Sequence, residues 1–242
     1  MERKIYIIFL LLIITIGNLY SQNNKSIYTA YVSNQMDLWK TAMDSIESGG
    51  ELTDARYLEL LNYYYGYTAW CIDQKNYKDA EKYIEKSEDI IEKLEKRNYE
   101  MSSLYSYKSA LIGYEIALSQ YKAPFIGKKS IRYANESVKT DSSNPMGYIQ
   151  LGNIEYYTPG LFGGSKEEAL VYYMRALDLM EKDTIWLRNN WNYLNLLVNI
   201  INTYTELEEY DKAKEYCIKA LQIEPEFDWV KNNLYPNLHG KR

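Results

Sequence analysis

Four segments of this 242-residue chain share one pattern, a small residue followed seven positions later by another with a residue of the same face between. The pairs are Ala80–Ser87, Ser130–Ser137, Ala169–Ala176 and Ala213–Ala220. Seven residues make two turns of α-helix, so both members of a pair lie on one face, where a neighbouring helix can come close. Ile84, Ala134, Tyr173 and Cys217 fall on the same face between them. Each such helix follows a more aromatic one. Leu60, Tyr64, Tyr67, Thr68 and Cys71 hold helical spacing before the first pair, and Trp191, Leu194, Leu197, Val198, Ile201 and Tyr204 before the last. The unit is helix, turn, helix, and four units in series predict an all-α solenoid.

The residues make this more specific. Tyr210 to Ala213, Ala220 and Pro225 resemble the second helix of a tetratricopeptide repeat (TPR). Asp141-Ser142-Ser143-Asn144-Pro145, Tyr148 and Leu151-Gly152 resemble the junction between two such repeats. The fourth unit matches best; the second is degenerate, with Ser130 and Ser137 in place of both alanines. The resemblance covers about residues 53–225 and implies a right-handed α-solenoid of about four helix pairs with capping helices. The intervals between the first small residues are 50, 39 and 44, longer than the usual period of about 34. Longer helices account for the surplus in the first unit. In the middle two it falls in matching enlarged turns: Gly113 to Ser130 and Gly152 to Ala169 are each 17 residues apart. Both turns combine Pro, Gly and Phe, with Phe125 and Phe162 as apolar tips, and Pro and Gly interrupt helices there.

The rest of the chain divides around this array. Residues 1–21 read as a secretory signal: Arg3 and Lys4 precede an apolar run from Ile5 to Gly17, with a cleavage site after Ser21. An uncleaved N-terminal anchor is the alternative, since Leu19 stands where a small residue is preferred. Residues 22–52 supply an N-terminal cap, one amphipathic helix over 27–47 ended by Gly49-Gly50. Residues 226–242 form a C-terminal cap and tail. The expected localisation is exported, periplasmic or secreted, with no membrane span left after signal cleavage.

Removing residues 1–21 takes away Glu2, Arg3 and Lys4 and leaves 26 basic and 32 acidic residues, a net charge of −6. That balance argues against nucleic acid as a partner, because phosphate binding needs a basic face. Cys71 and Cys217 fall on the first and last units, too far apart for a disulfide, and are expected as two buried free thiols.

Catalytic chemistry finds no support. The one histidine, His239, lies near the C-terminus, so neither a Ser-His-Asp nor a Cys-His arrangement can be built. No zinc-ligand spacing is present, and the glycine runs Gly127-Lys128-Lys129-Ser130 and Gly163-Gly164-Ser165-Lys166 lack the spacing of a phosphate loop. The expectation is a non-enzymatic protein with no cofactor, no metal and no catalytic residues.

In TPR arrays the first helices of successive units line a concave surface. The resemblance places Asn62, Tyr65 and Ala69, then Tyr107, Ala110 and Tyr114, then Ile149, Asn153 and Tyr156, then Asn195, Val198 and Asn202 on that surface. Tyrosine is abundant, 27 residues against 4 Phe and 5 Trp, and Tyr and Asn suit a peptide partner through apolar area and amide pairing. The same residues also suit packing between helices, and both readings stand. Lysines that hold a partner's terminal carboxylate in some TPR domains are replaced here by Tyr65, Ala110, Ile149 and Val198. The expected function is a scaffold holding a protein or peptide partner. The alternative is a small apolar ligand, because Pro159 to Gly164 is similar to enlarged turns of periplasmic TPR subunits that accompany transporters.

Overall fold

The computed structural model describes residues 24–183 and 186–241. The signal segment expected at 1–21 lies outside the described residues. Eleven helices follow one another, with no strand among the described residues. Helix α1 runs over 24–32, α2 over Met36–Glu47, α3 over Asp54–Asp73, α4 over Tyr77–Glu95, α5 over Met101–Leu118 and α6 over Ala123–Thr140. Then come α7 (Pro145–Tyr157), α8 (Lys166–Lys182), α9 (Trp191–Glu206), α10 (Tyr210–Ile223) and α11 over 228–237. Local chemistry sets the starts. Thr53, Asn76, Asn144, Ser165 and Asn190 each accept a backbone N–H of the first turn, the bonds that unpaired helix donors require. Pro145 opens α7 and Pro124 sits in the first turn of α6, positions where no backbone donor is lost.

Helices α3–α4, α5–α6, α7–α8 and α9–α10 pack as antiparallel pairs, so the fold is an all-α solenoid of the TPR type. The small residues do what their spacing predicts. Ala80, Ala169, Ala176, Ala213 and Ala220 are fully buried, as are Ser87 and Ser137. In the second pair the serines face serines. Ser130 donates to the Ser109 carbonyl at 2.9 Å, and Ser102 donates to the Ser137 carbonyl at 2.9 Å. Their hydroxyls are satisfied within the interface, so Ser substitutes for Ala without an unpaired buried donor. Cys71 and Cys217 are free and fully buried.

Two details differ from the sequence reading. The single helix expected over 27–47 is broken at Ser33–Gln35, where Asn34 takes a left-handed φ of 55° and closes α1. The two enlarged turns are not alike. The first is absorbed by one 3₁₀ turn, Gln120–Lys122, that runs straight into α6, so Phe125 and Gly127 are helical. The second remains a true loop over 158–165 around the 3₁₀ turn Gly160–Phe162. A proline at the start of a helix continues it; Pro159 with Gly163 at φ 94° does not.

The array also closes on itself. Trp39 of α2 meets Trp191 of α9 edge to face, centroids 5.0 Å apart, and Tyr31 of α1 lies 5.7 Å from Trp191 and 5.4 Å from Phe227. The Tyr31 hydroxyl donates to Asn195 at 3.0 Å and that of Tyr28 to Glu224 at 3.1 Å. The N-terminal helices thus bridge the first pair to the last, burying aromatic area that an open solenoid would expose.

Candidate functional site

Side chains of α3, α5, α7 and α9 meet around Asn62 and Tyr65, which closes one end of the inner surface. At the closed end Asn62 donates to the Tyr107 hydroxyl at 2.8 Å and accepts from the Trp191 indole at 2.9 Å. Tyr65 accepts from Gln150 at 3.3 Å through its hydroxyl, and its carbonyl accepts from the Tyr114 hydroxyl at 3.1 Å. Tyr65, Tyr107, Ala110, Ile149 and Val198 are buried. Desolvation raises the hydroxyl pKa of Tyr65, Tyr107 and Tyr114 above that of a free phenol. These hydroxyls act as neutral hydrogen-bonding groups.

At the other end the same helices present exposed residues: Ala69 and Asp73 on α3, Gly113 and Ala117 on α5, Tyr157 on α7 and Glu206 on α9. Tyr157 stands in this mouth. The residue is 73% exposed, yet desolvation of its hydroxyl raises the pKa, with Tyr65 and Asp73 adding to the shift.

The loop over 158–165 forms the adjoining rim. Gly164 is pressed on its own turn: a Cβ there would lie 1.9 Å from the Thr158 carbonyl oxygen, so only glycine fits. Lys166 ties the loop down, hydrogen-bonding the Tyr156 carbonyl with its ammonium 3.6 Å from the Tyr156 ring centroid. Burial, then Glu206 and Tyr157, pushes the Tyr156 hydroxyl up to about 12. A shallow cavity of about 370 Å³ lies under the loop, between Tyr156, Pro159 and Lys166. Outside it the loop exposes Leu161 at 90% and Phe162 at 76%, and the start of α6 exposes Phe125 at 83%. Tyr121 just before α6 is likewise exposed. Isolated apolar surface residues are ordinary, but this many large ones at the turns of two consecutive pairs are not.

The residues expected on one concave surface therefore separate into two sets. Asn62, Tyr65, Tyr107, Ile149 and Asn195 are engaged with one another or with α1 and Trp191. Asn153, Tyr156 and Asn202 are half-buried near the open end. Asn153 is held there, accepting from the Tyr173 hydroxyl at 2.8 Å and donating to Gln150 at 3.2 Å. Tyr114 is half-buried between the two sets. Phe125 and Phe162 project outward. Sequence reasoning missed Tyr121, Tyr157 and Leu161, which are also exposed at these turns; the run Tyr156-Tyr157 beside a Pro-Gly loop was the available signal. Among the described residues no group of three metal-ligating side chains is present, and no helix is long and apolar enough to cross a membrane.

The tetratricopeptide repeat profile matches residues 195–227, which are most of α9, all of α10 and the turn to Phe227. The chain thus carries a tetratricopeptide repeat, in the unit whose residues resemble one most closely. Among solved structures it is similar to the HusA haemophore from Porphyromonas gingivalis, with a TM-score of 0.57 at 16% identity over 77% of this chain and 92% of that one. The likeness is one of fold. No curated protein matches the chain.

Proposed function

We propose that this protein is a non-enzymatic scaffold of the cell envelope, acting after export, that holds a protein partner at the open end of its array. The tetratricopeptide repeat is an architecture of protein interaction and is typically non-catalytic. The observation that carries the finer reading is the set of exposed apolar side chains at the turns after α5 and α7: Phe125 at the start of α6, and Leu161 and Phe162 in the loop that follows Tyr157, while the other end of the inner surface is filled by the protein's own side chains. Burying three such side chains in a partner stabilises a complex by several kcal/mol, at about 1.5–3 kcal/mol each. Asn153, Tyr156 and Asn202 provide the polar contacts next to the rim. The test is native mass spectrometry of the mature protein purified gently from its own envelope, beside the combined variant Phe125→Ser, Leu161→Ser and Phe162→Ser. A stoichiometric companion with the wild type, lost from the variant, supports the reading. A companion retained by the variant overturns the assignment to the rim.

A second reading is a flat apolar ligand at the same mouth. Its motive is the similar fold of a protein described as a haemophore, together with the exposed residue Tyr157, whose side-chain type is able to ligate haem iron. Hemin titration followed by visible absorbance distinguishes it. A saturable shift lost in Tyr157→Phe supports haem binding; an unchanged spectrum excludes it.

A further inference from the structure

A second cleft lies at the seam where the array closes, sharing Asp73 with the mouth. It is an open groove of about 330 Å³ between the α1–α2 turn, the end of α3 and α11. Two indoles, Trp70 and Trp229, line it together with four amides, Asn34, Gln74, Asn233 and Asn237. We propose that this cleft is a binding site for a neutral saccharide of one or two rings.

The lining selects the chemistry. Trp229 is 43% exposed, although α11 is anchored beside it by fully buried Phe227 and Val230. Trp70 is held against Tyr67 with centroids 5.2 Å apart. An indole face carries negative charge density that attracts the slightly positive C–H face of a sugar ring. Each amide offers donors and an acceptor, which matches adjacent hydroxyls that both give and take hydrogen bonds. Asp73 adds an acceptor and itself accepts from Gln74 at 2.9 Å. No cation lines the cleft, so an anionic ligand would find no opposite charge there and would be repelled by the Asp73 carboxylate. A wholly apolar ligand would desolvate four amides without pairing them, a cost of about 1–3 kcal/mol for each unsatisfied group.

The backbone supports a built site. Helix α11 contains a π turn, Val230–Leu234, and such insertions recur at functional sites. It leaves Trp229, Asn233 and Asn237 on the side of the helix that faces the cleft. The volume matches the lower range of ligand pockets, about 300 Å³ and upwards.

The test titrates the purified full chain with maltose, cellobiose, lactose and chitobiose, with glucuronate as an anionic comparison, following tryptophan fluorescence and calorimetric heat. At least one neutral disaccharide is expected to bind saturably and glucuronate not to bind. Trp229→Ala is expected to weaken that binding by tenfold or more, and Trp229→Phe to retain most of it. Because Trp229 is partly exposed, thermal unfolding by circular dichroism should show both variants folded; Asn233→Ala, at an exposed position, provides a second loss of binding. Absence of binding by all four neutral sugars, or binding that Trp229→Ala and Asn233→Ala leave intact, overturns the proposal. Substitutions at Phe125 and Phe162 should not affect sugar binding, which separates this outcome from that of the rim.

Discussion

The Trp191 indole donates a 2.9 Å hydrogen bond to Asn62, 129 positions earlier in the chain. This one contact joins the last helix pair to the first. The same ring packs on Trp39, Tyr31 and Tyr65 with centroids 5.0, 5.7 and 6.0 Å away. Replacing it with alanine removes a buried aromatic and leaves the Asn62 carbonyl with one donor fewer. Trp191→Ala should destabilise the protein by about 3–5 kcal/mol in denaturant unfolding. Hydrogen exchange in α1 and α2 should rise with it, because those helices rest on that ring.

Two glycines within inner helices should respond in opposite directions. A Cβ on Gly66 would lie 2.7 Å from Trp191 and 2.8 Å from Trp39, so Gly66→Ala should cost about 1–3 kcal/mol through overpacking of the closure. Gly113 has nothing within 4 Å of the same position. Gly113→Ala should therefore stabilise α5 by about 0.5–1 kcal/mol, the usual gain of Ala over Gly inside a helix. Paired thermal melts read both.

Alkaline pH should unfold the protein cooperatively. Burial pushes the Cys71 and Cys217 thiols from an ordinary 9.0 up to about 12. Burial, with neighbouring Tyr204 second, pushes Tyr216 from an ordinary 10.0 up to about 12, and Tyr31, Tyr107, Tyr114 and Tyr173 are raised by burial as well. The unfolded chain loses these protons first, so it binds fewer protons than the native state as pH rises, and stability falls. The loss should begin near pH 9 and steepen above pH 10. Phenolate absorbance should then rise in one step together with loss of helical circular dichroism. Smooth titration of most tyrosines with the helices intact would contradict the burial described here.

The helix pairs were legible in the sequence because their signals are local. Small residues at a spacing of seven, Asn144-Pro145 and Ser165 at helix starts, and Pro225 beyond a helix end each act within a few residues. The closure was not legible, because it depends on residues such as Tyr31, Trp39 and Trp191 that meet across more than a hundred positions. Helical periodicity placed Asn62, Tyr65 and Tyr107 on the inner face, but it carries no information on whether that face is open. That depends on how closely Gly66 and Asn62 of α3 approach Trp191 and Trp39. The loop tips show the same limit. Phe125 and Phe162 stand in matching sequence contexts, yet Pro124 starts a helix and Pro159 does not.

The central claim is that a partner meets this protein at the rim and not on the filled inner face. A photo-crosslinking amino acid placed at Phe162, and separately at buried Ala110, tests it in the protein's own cells. Crosslinks to one discrete protein from position 162 and none from 110 are the predicted result. Crosslinks from 110 without any from 162 would contradict the account, because they would require the array to open for its partner.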